Sequence, residues 1–384
     1  MALDFRLTPE QEAMKESTRK FAERELSPGS IERDIKGEFN LAGFRKCGEF
    51  GLLGLPVPRE YGGGGTDVIT MMAAMEGLGR GCTDGGFILS LGAHVCICTI
   101  PIWQYGSEEQ KQRFLPRLCS GEFLGAFGLT EPNAGSDALS VQTTAKKDGD
   151  HWILNGTKMF ITNGSIADVV LTIATVDRSK KAGGLTAFLV EKGTPGFSCA
   201  RELDKMGMRS SPTAELIFED CRVPDANRIG EVGAGVGVTL GTLGWERATM
   251  IAASIGSQER VLEKTVRYAK DRVQFGKPIA HFQAIQHKLA DMKMNLEIMR
   301  LLVYKSAWMK DNHKDDMAFA AVTKLAVSEL GRQNMLHSLQ IHGGYGYMRE
   351  YEIERGVRDS MLGTIGAGTS EIQRMIIARS LLAD

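Results

Sequence analysis

The spacing of apolar and polar positions changes period twice along this chain. Up to about residue 120, apolar residues recur at helical spacing. Thr8-Pro9-Glu10-Gln11 opens the first helix with a hydroxyl N-cap, proline at the first helical position and Gln three residues after the cap. The tetraglycine run that follows Tyr61 interrupts the pattern as a loop. Helices are then predicted at 69–78, 86–100 and 108–115, the last stopped by Pro116. Near residue 121 the period becomes that of strands. Two apolar runs, 151–154 and 158–162, flank Asn155-Gly156, which predicts a hairpin. Further strands are predicted at 168–176, 185–191 and 214–223. From about residue 230 helical spacing returns, with helices predicted at 236–272, 282–311, 316–343 and 369–382. The order of helical, β and helical segments predicts an α+β protein with three domains, at 1–120, 121–230 and 231–384.

Composition narrows the function classes. The 384 residues are 43% hydrophobic and 24% charged, which is the balance of a globular chain. A formal net charge of −1 gives no electrostatic reason to expect nucleic acid or an anionic membrane as partner. The seven cysteines are scattered. Cys96 and Cys98 form a C-x-C inside an apolar run, with no second Cys or His pair at metal spacing, so buried thiols are expected and no metal. The most apolar stretch, 86–103, contains Ser90, Gly92, His94 and Pro101 and reads as a buried helix, not a membrane span. The N-terminus lacks the basic-then-apolar pattern of a signal peptide, so the cytoplasm is expected, or the mitochondrial matrix if a transit peptide has been removed.

Glu246 is the leading candidate for chemistry. At helical spacing its neighbours are Leu243, Met250 and Ala253, so it lies on an apolar stripe. Its i−3, i+3 and i±4 positions hold no Lys or Arg. A carboxylate so placed loses solvation, its pKa rises, and it suits proton abstraction from carbon near neutral pH. The alternative is a solvent-facing glutamate, or one paired with a distant arginine.

Other segments offer ligand-binding chemistry. The loop 130–137 presents Thr130, Asn133, Gly135 and Ser136, hydroxyls and backbone N–H groups suited to a polar ligand or to an ordinary surface loop. Phe160 and Thr162 alternate with Ile161 and share one strand face. Arg272 could pair with phosphate oxygens or complement a helix end. Gly343-Gly344 would admit close backbone approach or cap a helix. There is no Walker A loop and no G-x-G-x-x-G after a strand, so Rossmann-type nicotinamide binding has no support.

The order of six motifs resembles the acyl-CoA dehydrogenase flavoprotein family over essentially the full chain. They are LTEPNAGSD from Leu129, NGTKMFITN from Asn155, FEDCRVP from Phe218, the run from Arg272 to Gln283, QIHGG from Gln340 and GTSEIQ from Gly368. The resemblance implies a helical N-terminal domain, a middle β-barrel or sandwich and a C-terminal four-helix bundle. It implies FAD between the last two domains and a homotetramer whose flavin sites span subunits. Carried over by position, Phe127, Leu129, Thr130 and Ser136 resemble contacts to the flavin ring or substrate. Phe160 and Thr162 resemble the pair that packs against and bonds the flavin, with Phe160 where many relatives have Trp. Arg272, Gln274, Phe275, Gln283, Gln340, Gly343 and Gly344 resemble contacts to the FAD pyrophosphate and adenosine, partly across a subunit boundary. Thr369 and Glu371 resemble contacts near the end of that site. Arg247, Ala367 and Gly368, with Ser136, fall at substrate-facing positions.

One departure directs attention back to Glu246. Most of the family carries its catalytic Glu in a Tyr-Glu-Gly-Thr run, and here that position is Ala367. A minority, including isovaleryl-CoA dehydrogenases, places the Glu immediately before an Arg on the first C-terminal helix, as Glu246-Arg247 does. The implied reaction is α,β-desaturation of an acyl thioester, with Glu246 taking the α-proton and the β-hydrogen passing as hydride to flavin N5. A short, branched or cyclic acyl-CoA is the expected substrate and electron-transfer flavoprotein the expected acceptor. Dehydrogenases of acyl or prolyl groups tethered to carrier proteins share the displaced base and remain open as an alternative. So do an oxidase and a non-catalytic nucleic-acid-binding flavoprotein of this fold.

Overall fold

The computed structural model describes residues 5–383. Seven helices build the first third: α1 (Pro9–Glu25), α2 (Ser30–Lys36), α3 (Leu41–Glu49), α4 (Val68–Gly81), α5 (Gly85–His94), α6 (Ile100–Tyr105) and α7 (Glu108–Cys119). The capping box at Thr8 forms as expected, with Gln11 N–H donating to Thr8 Oγ1 and Thr8 N–H to Gln11 Oε1. Pro116 does not stop α7. It lies inside the helix, which continues because Leu118 and Cys119 are buried. Between α5 and α6, Val95–Thr99 form a π-helical turn, fully buried. The run Gly85–Tyr105 is long and apolar enough to cross a membrane, but 78% of its apolar window is buried inside the protein.

The middle third is one hydrogen-bonded sheet. Its strands are β1 (Gly125–Gly128), β2 (Thr144–Asp148), β3 (His151–Thr162), β4 (Val169–Thr175), β5 (Leu185–Glu191), β6 (Phe197–Glu202), β7 (Thr213–Pro224) and β8 (Arg228–Ile229). The order is β6-β7-β3-β2-β4-β5-β8, with β1 added parallel to β4. The predicted hairpin at Asn155-Gly156 is not there. β3 runs unbroken through both residues, and the irregularity is a bulge against β7 between Leu154 and Gly156. Asn155 uses its amide on β7, accepting from Asp220 N–H at 2.8 Å and donating to Asp220 Oδ1 at 3.2 Å. The long partner strand β7 offers β3 a continuous ladder, and that outweighs the local turn preference.

The last third is helical. α8 (Gly235–Thr249) and α9 (Ala253–Asp271) stand where one helix is predicted, followed by β9 (Val273–Gln274) and β10 (Lys277–Pro278), a small hairpin. Then come α10 (Gln283–Asp311), α11 (Met317–His342), α12 (Gly344–Tyr347), α13 (Ile353–Gly363) and α14 (Ser370–Leu381). The break between α8 and α9 is a 3₁₀ turn at Met250–Ala252. Just before it, Thr249 Oγ1 donates back to Trp245 O at 2.7 Å, a bond that bends helices. α4 holds the start of α9 very closely. A Cβ on Gly79 would lie 1.7 Å from Ala253 O, and one on Gly256 would lie 1.9 Å from Glu76 O. Only glycine fits this crossing.

Candidate active site

Glu246 sits on α8, which packs against the π turn, α10 and α11. Trp245 and Arg247 on either side of it are buried, and Glu246 itself is half-buried. Among the described residues, nothing hydrogen-bonds or ion-pairs with its carboxylate. Protein surrounds it on the scale that sets its solvation, so burial raises its pKa to about 7. Arg247 and then Lys324 pull the other way. The Cys96 thiol on the π turn also feels this charge, although burial is the main cause that pushes it up to about 12.

The turn after α13 faces this carboxylate's neighbours. Ala367 has φ 57°, a left-handed conformation unusual for a residue with a side chain, and Gly368 follows at 89°. Three buried side chains donate to the carbonyls of this turn. Arg247 Nε reaches Ala367 O at 3.0 Å, and Gln373 Nε2 reaches Ala367 O at 3.0 Å and Gly368 O at 2.9 Å. Lys324 Nζ reaches Gly363 O and Gly368 O, both at 2.8 Å. The carbonyl of Ala367 is bonded inward, and among the described residues no hydrogen bond engages its N–H, which can serve another acceptor. Thr369 caps α14 by accepting from Ile372 N–H at 3.3 Å, and Glu371 is exposed on the first turn. The sequence placed Arg247, Ala367 and Gly368 here but gave no role to Lys324 or Gln373. A single lysine in the apolar run of α11 was the available signal.

A second group forms on the sheet. Phe127 and Leu129 are buried, while Thr130 is half-buried and its carbonyl accepts from Met159 N–H at 2.8 Å. That bond sets Thr130 beside Phe160. A second bulge, between Lys158 and Ile161, gives Phe160 a φ of 61° and leaves it 66% exposed. Lys158 and Ile161 therefore both point inward, while Phe160 and Thr162 keep the shared outward face. Below them Lys158 Nζ pairs with Glu131 Oε1 at 2.7 Å and donates to Leu129 O at 3.0 Å. Glu131 also accepts from Gln142 N–H, Thr143 N–H and Thr143 Oγ1. This buried network clamps the base of the loop carrying Ser136, which is exposed. Sequence reasoning quoted Lys158 and Glu131 within motifs and missed this function. His94 is structural: Nδ1 accepts from Gly125 N–H at 2.9 Å, Nε2 faces Leu118 O at 3.1 Å, and burial lowers its pKa to about 4.

The third group lies on its own small core of Ala269, Ile279, Met292 and Ile341. Arg272 caps α9 with its guanidinium 5.3 Å over the Tyr345 ring. Gln274, Phe275 and Gln283 are exposed, Phe275 at 92%. Gly343 ends α11 with its N–H on Leu339 O and Gln340 O, and Gln340, Gly343 and Gly344 are exposed beside it. Among the described residues, no hydrogen bond, ion pair or ring contact joins this group to Phe160 or Glu246.

Family models for the acyl-CoA dehydrogenase N-terminal domain, middle domain and C-terminal domain match residues 8–122, 126–221 and 233–382. The chain belongs to the acyl-CoA dehydrogenase family. Probable acyl-CoA dehydrogenase YngJ of Bacillus subtilis is 45% identical over 381 residues, 99% of this chain and 100% of that one. Among solved structures, the prolyl acyl carrier protein oxidase AnaB superposes with a TM-score of 0.97 at 42% identity, covering 98% of this chain and 100% of its own. PigA with FAD and proline superposes at 0.96 with 36% identity, covering 99% of each chain. The protein is thus an oxidoreductase of this family with FAD as its cofactor. Its residues fit that group. An aromatic face at Phe160, held outward on a strained bulge with the Thr162 hydroxyl beside it, matches a flat polar ring. Half-buried Arg272 and the exposed Gln274, Gln283 and Gln340 offer donors suited to a diphosphate and sugar.

Proposed function

We propose that this protein desaturates the α,β carbon–carbon bond of a short, branched or cyclic acyl thioester, with Glu246 as the base that takes the α-proton. One observation carries the reading: a carboxylate without hydrogen bonds, its pKa raised to about 7 by burial, lies beside the turn whose Ala367 N–H is left for an acceptor. An α-hydrogen next to a thioester is weakly acidic, so charge developing on the thioester oxygen needs a fixed donor. Ala367 N–H is that donor, and Arg247 and Gln373 hold it by fixing the opposite carbonyl. The α C–H pair forms the new double bond as Glu246 receives the proton, and the β-hydrogen leaves with its electrons. FAD, when bound, supplies the two-electron acceptor. Phe160, Thr162, Phe127, Leu129, Thr130 and Ser136 are proposed to hold the ring and substrate. Arg272, Gln274, Phe275, Gln283, Gln340, Gly343 and Gly344 are proposed to hold the nucleotide of an FAD bound mainly by another subunit of a tetramer. That they rest on a small core of their own, with no hydrogen bond or ring contact to Phe160 among the described residues, supports this. Electron-transfer flavoprotein is the proposed physiological acceptor.

The similarity to AnaB favours a second reading, a carrier-protein thioester in place of CoA. A panel of straight, branched and cyclic acyl groups, each offered on CoA and on a carrier protein and followed by anaerobic flavin bleaching, separates the two by kcat/KM. Absence of bleaching by every thioester would refute the desaturase reading.

A further inference from the structure

Lys324 is an ammonium placed where ammonium groups are rarely found. It lies on α11 at 2% exposure, and among the described residues it makes no hydrogen bond or ion pair with a carboxylate. Two of its donors go to Gly363 O and Gly368 O, the two ends of the turn that carries Ala367. Burying a lysine this deeply is costly unless something negative faces it. Of the carboxylates that act on Lys324, Glu246 has the largest influence, and α11 packs against the α8 that carries it. We infer that Lys324 is a positioning residue for the proton-transfer step: its ammonium pins both ends of the Ala367 turn and supplies positive charge facing the Glu246 carboxylate. This rests on the reading of Glu246 as the base.

Other charged groups surround the pair. On α8, Arg247 acts on Glu246 more strongly than Lys324 does, and its Nε is bonded to Ala367 O, whereas Lys324 spans both ends of the turn. From the π turn comes the Cys96 thiol, pushed up by burial and neutral near pH 7. From α10, Lys310 sits 4.3 Å over the Trp245 ring and pairs with Asp315. Tyr105 on α6 lies against Gly241 on α8. Arg178, Lys180 and Lys181, in the turn before β5, are exposed. β4 and β5 bring only Glu191 at the end of β5, which pairs with Arg113. On the Lys324 side stand Glu329 on its own helix and Glu371 on α14, both weaker influences than Glu246. Burial lowers the Lys324 pKa to about 8, with Glu246 opposing and Arg247 adding to the fall. The ammonium is therefore present through the range in which Glu246 must ionise. An opposite charge within about 4–6 Å lowers a carboxylate's pKa by about one unit or more.

The test compares Lys324→Met, Lys324→Gln and Lys324→Arg in the FAD-loaded protein with Glu246→Gln as reference. Two readouts are followed against pH: kcat/KM for a good thioester, and the melting temperature without substrate. In wild type both should report Glu246 ionising near pH 7, and Glu246→Gln should remove that step from the melting profile, leaving the contribution of Asp359, raised by burial to about 6. The Met and Gln variants should move the kcat/KM limb and the melting step upward by about one pH unit or more. Arg, keeping the charge, should hold both within a few tenths of a unit. Gln can still donate to one carbonyl, so a Gln variant that behaves like Met assigns the effect to charge. If the profiles of the Met and Gln variants overlay wild type, the inference on Lys324 is overturned while Glu246 stands. If Glu246→Gln is fully active, or leaves the melting step in place, the reading of the base fails instead. Should Met not fold, the Gln and Arg pair alone decides.

Discussion

Two carboxylates drawn out of water, Glu131 buried under the sheet and Glu246 half-buried on α8, end in opposite states. Glu131 loses solvation too, but Lys158, two backbone N–H groups and the Thr143 hydroxyl all favour its charged form, and its pKa is held below the usual carboxylate range. Glu246 has cations nearby but no donor on its oxygens, and its pKa rises to about 7. Burial alone therefore does not make a base. What makes one is burial without hydrogen bonds to the anion, tempered by charge at a distance. The satisfied carboxylate holds a loop in place, and the unsatisfied one is the proposed base.

Breaking the comparison at its active end should have the largest effect. Glu246→Gln should lower the rate of flavin bleaching by about 10²–10⁴-fold or more while leaving flavin absorbance intact. Wild-type bleaching would remove Glu246 as the base, since Ala367 provides no other. At the structural end, Lys158→Met leaves Glu131 buried and unpaired and should destabilise by about 3–5 kcal/mol in urea denaturation. A change under 1 kcal/mol would show that Glu131 simply takes up a proton at little cost. The two carboxylates should also separate by pH. Folding raises the pKa of Glu246, so the folded state binds that proton more tightly than the unfolded chain. Its contribution to stability is full below about 4.5 and is lost as pH rises through about 7. Glu246→Gln should therefore raise the melting temperature at pH 8 and change it little at pH 4. Glu131 has the opposite sign: its contribution is present above the ordinary carboxylate pKa and is lost as pH falls through the lowered one. Glu131→Gln should accordingly cost stability at pH 8 and much less in acid. If both variants shifted the same way at pH 8, the contrast would be wrong. The smallest effect concerns the turn between them in function. Ala367→Gly relieves a left-handed φ and should stabilise by about 1 kcal/mol or less, yet slow turnover by loosening the donor N–H. Faster turnover would mean that the turn's rigidity is not used.

The sequence by itself determined the succession of helical, β and helical thirds, the strands β4, β5 and β7, and the capping box at Thr8, because these follow from local periodicity and local hydrogen bonds; β1, β2, β6 and β8 carried no such local signal. It also determined that Glu246 lies on an apolar stripe with no cation one turn away. Tertiary structure decided what local signals could not. Asn155-Gly156 became a bulge because β7 was there to pair with, and α7 passed Pro116 because its last turn is buried. α8 parted from α9 at a 3₁₀ turn, where Gly79 of α4 lies on Ala253. The charge of Lys324 acts on Glu246 from α11, far along the chain, and no spacing rule connects them. Proton affinity is set by desolvation and by charges arriving from other elements, so only the folded chain gives Glu246 a pKa near neutrality.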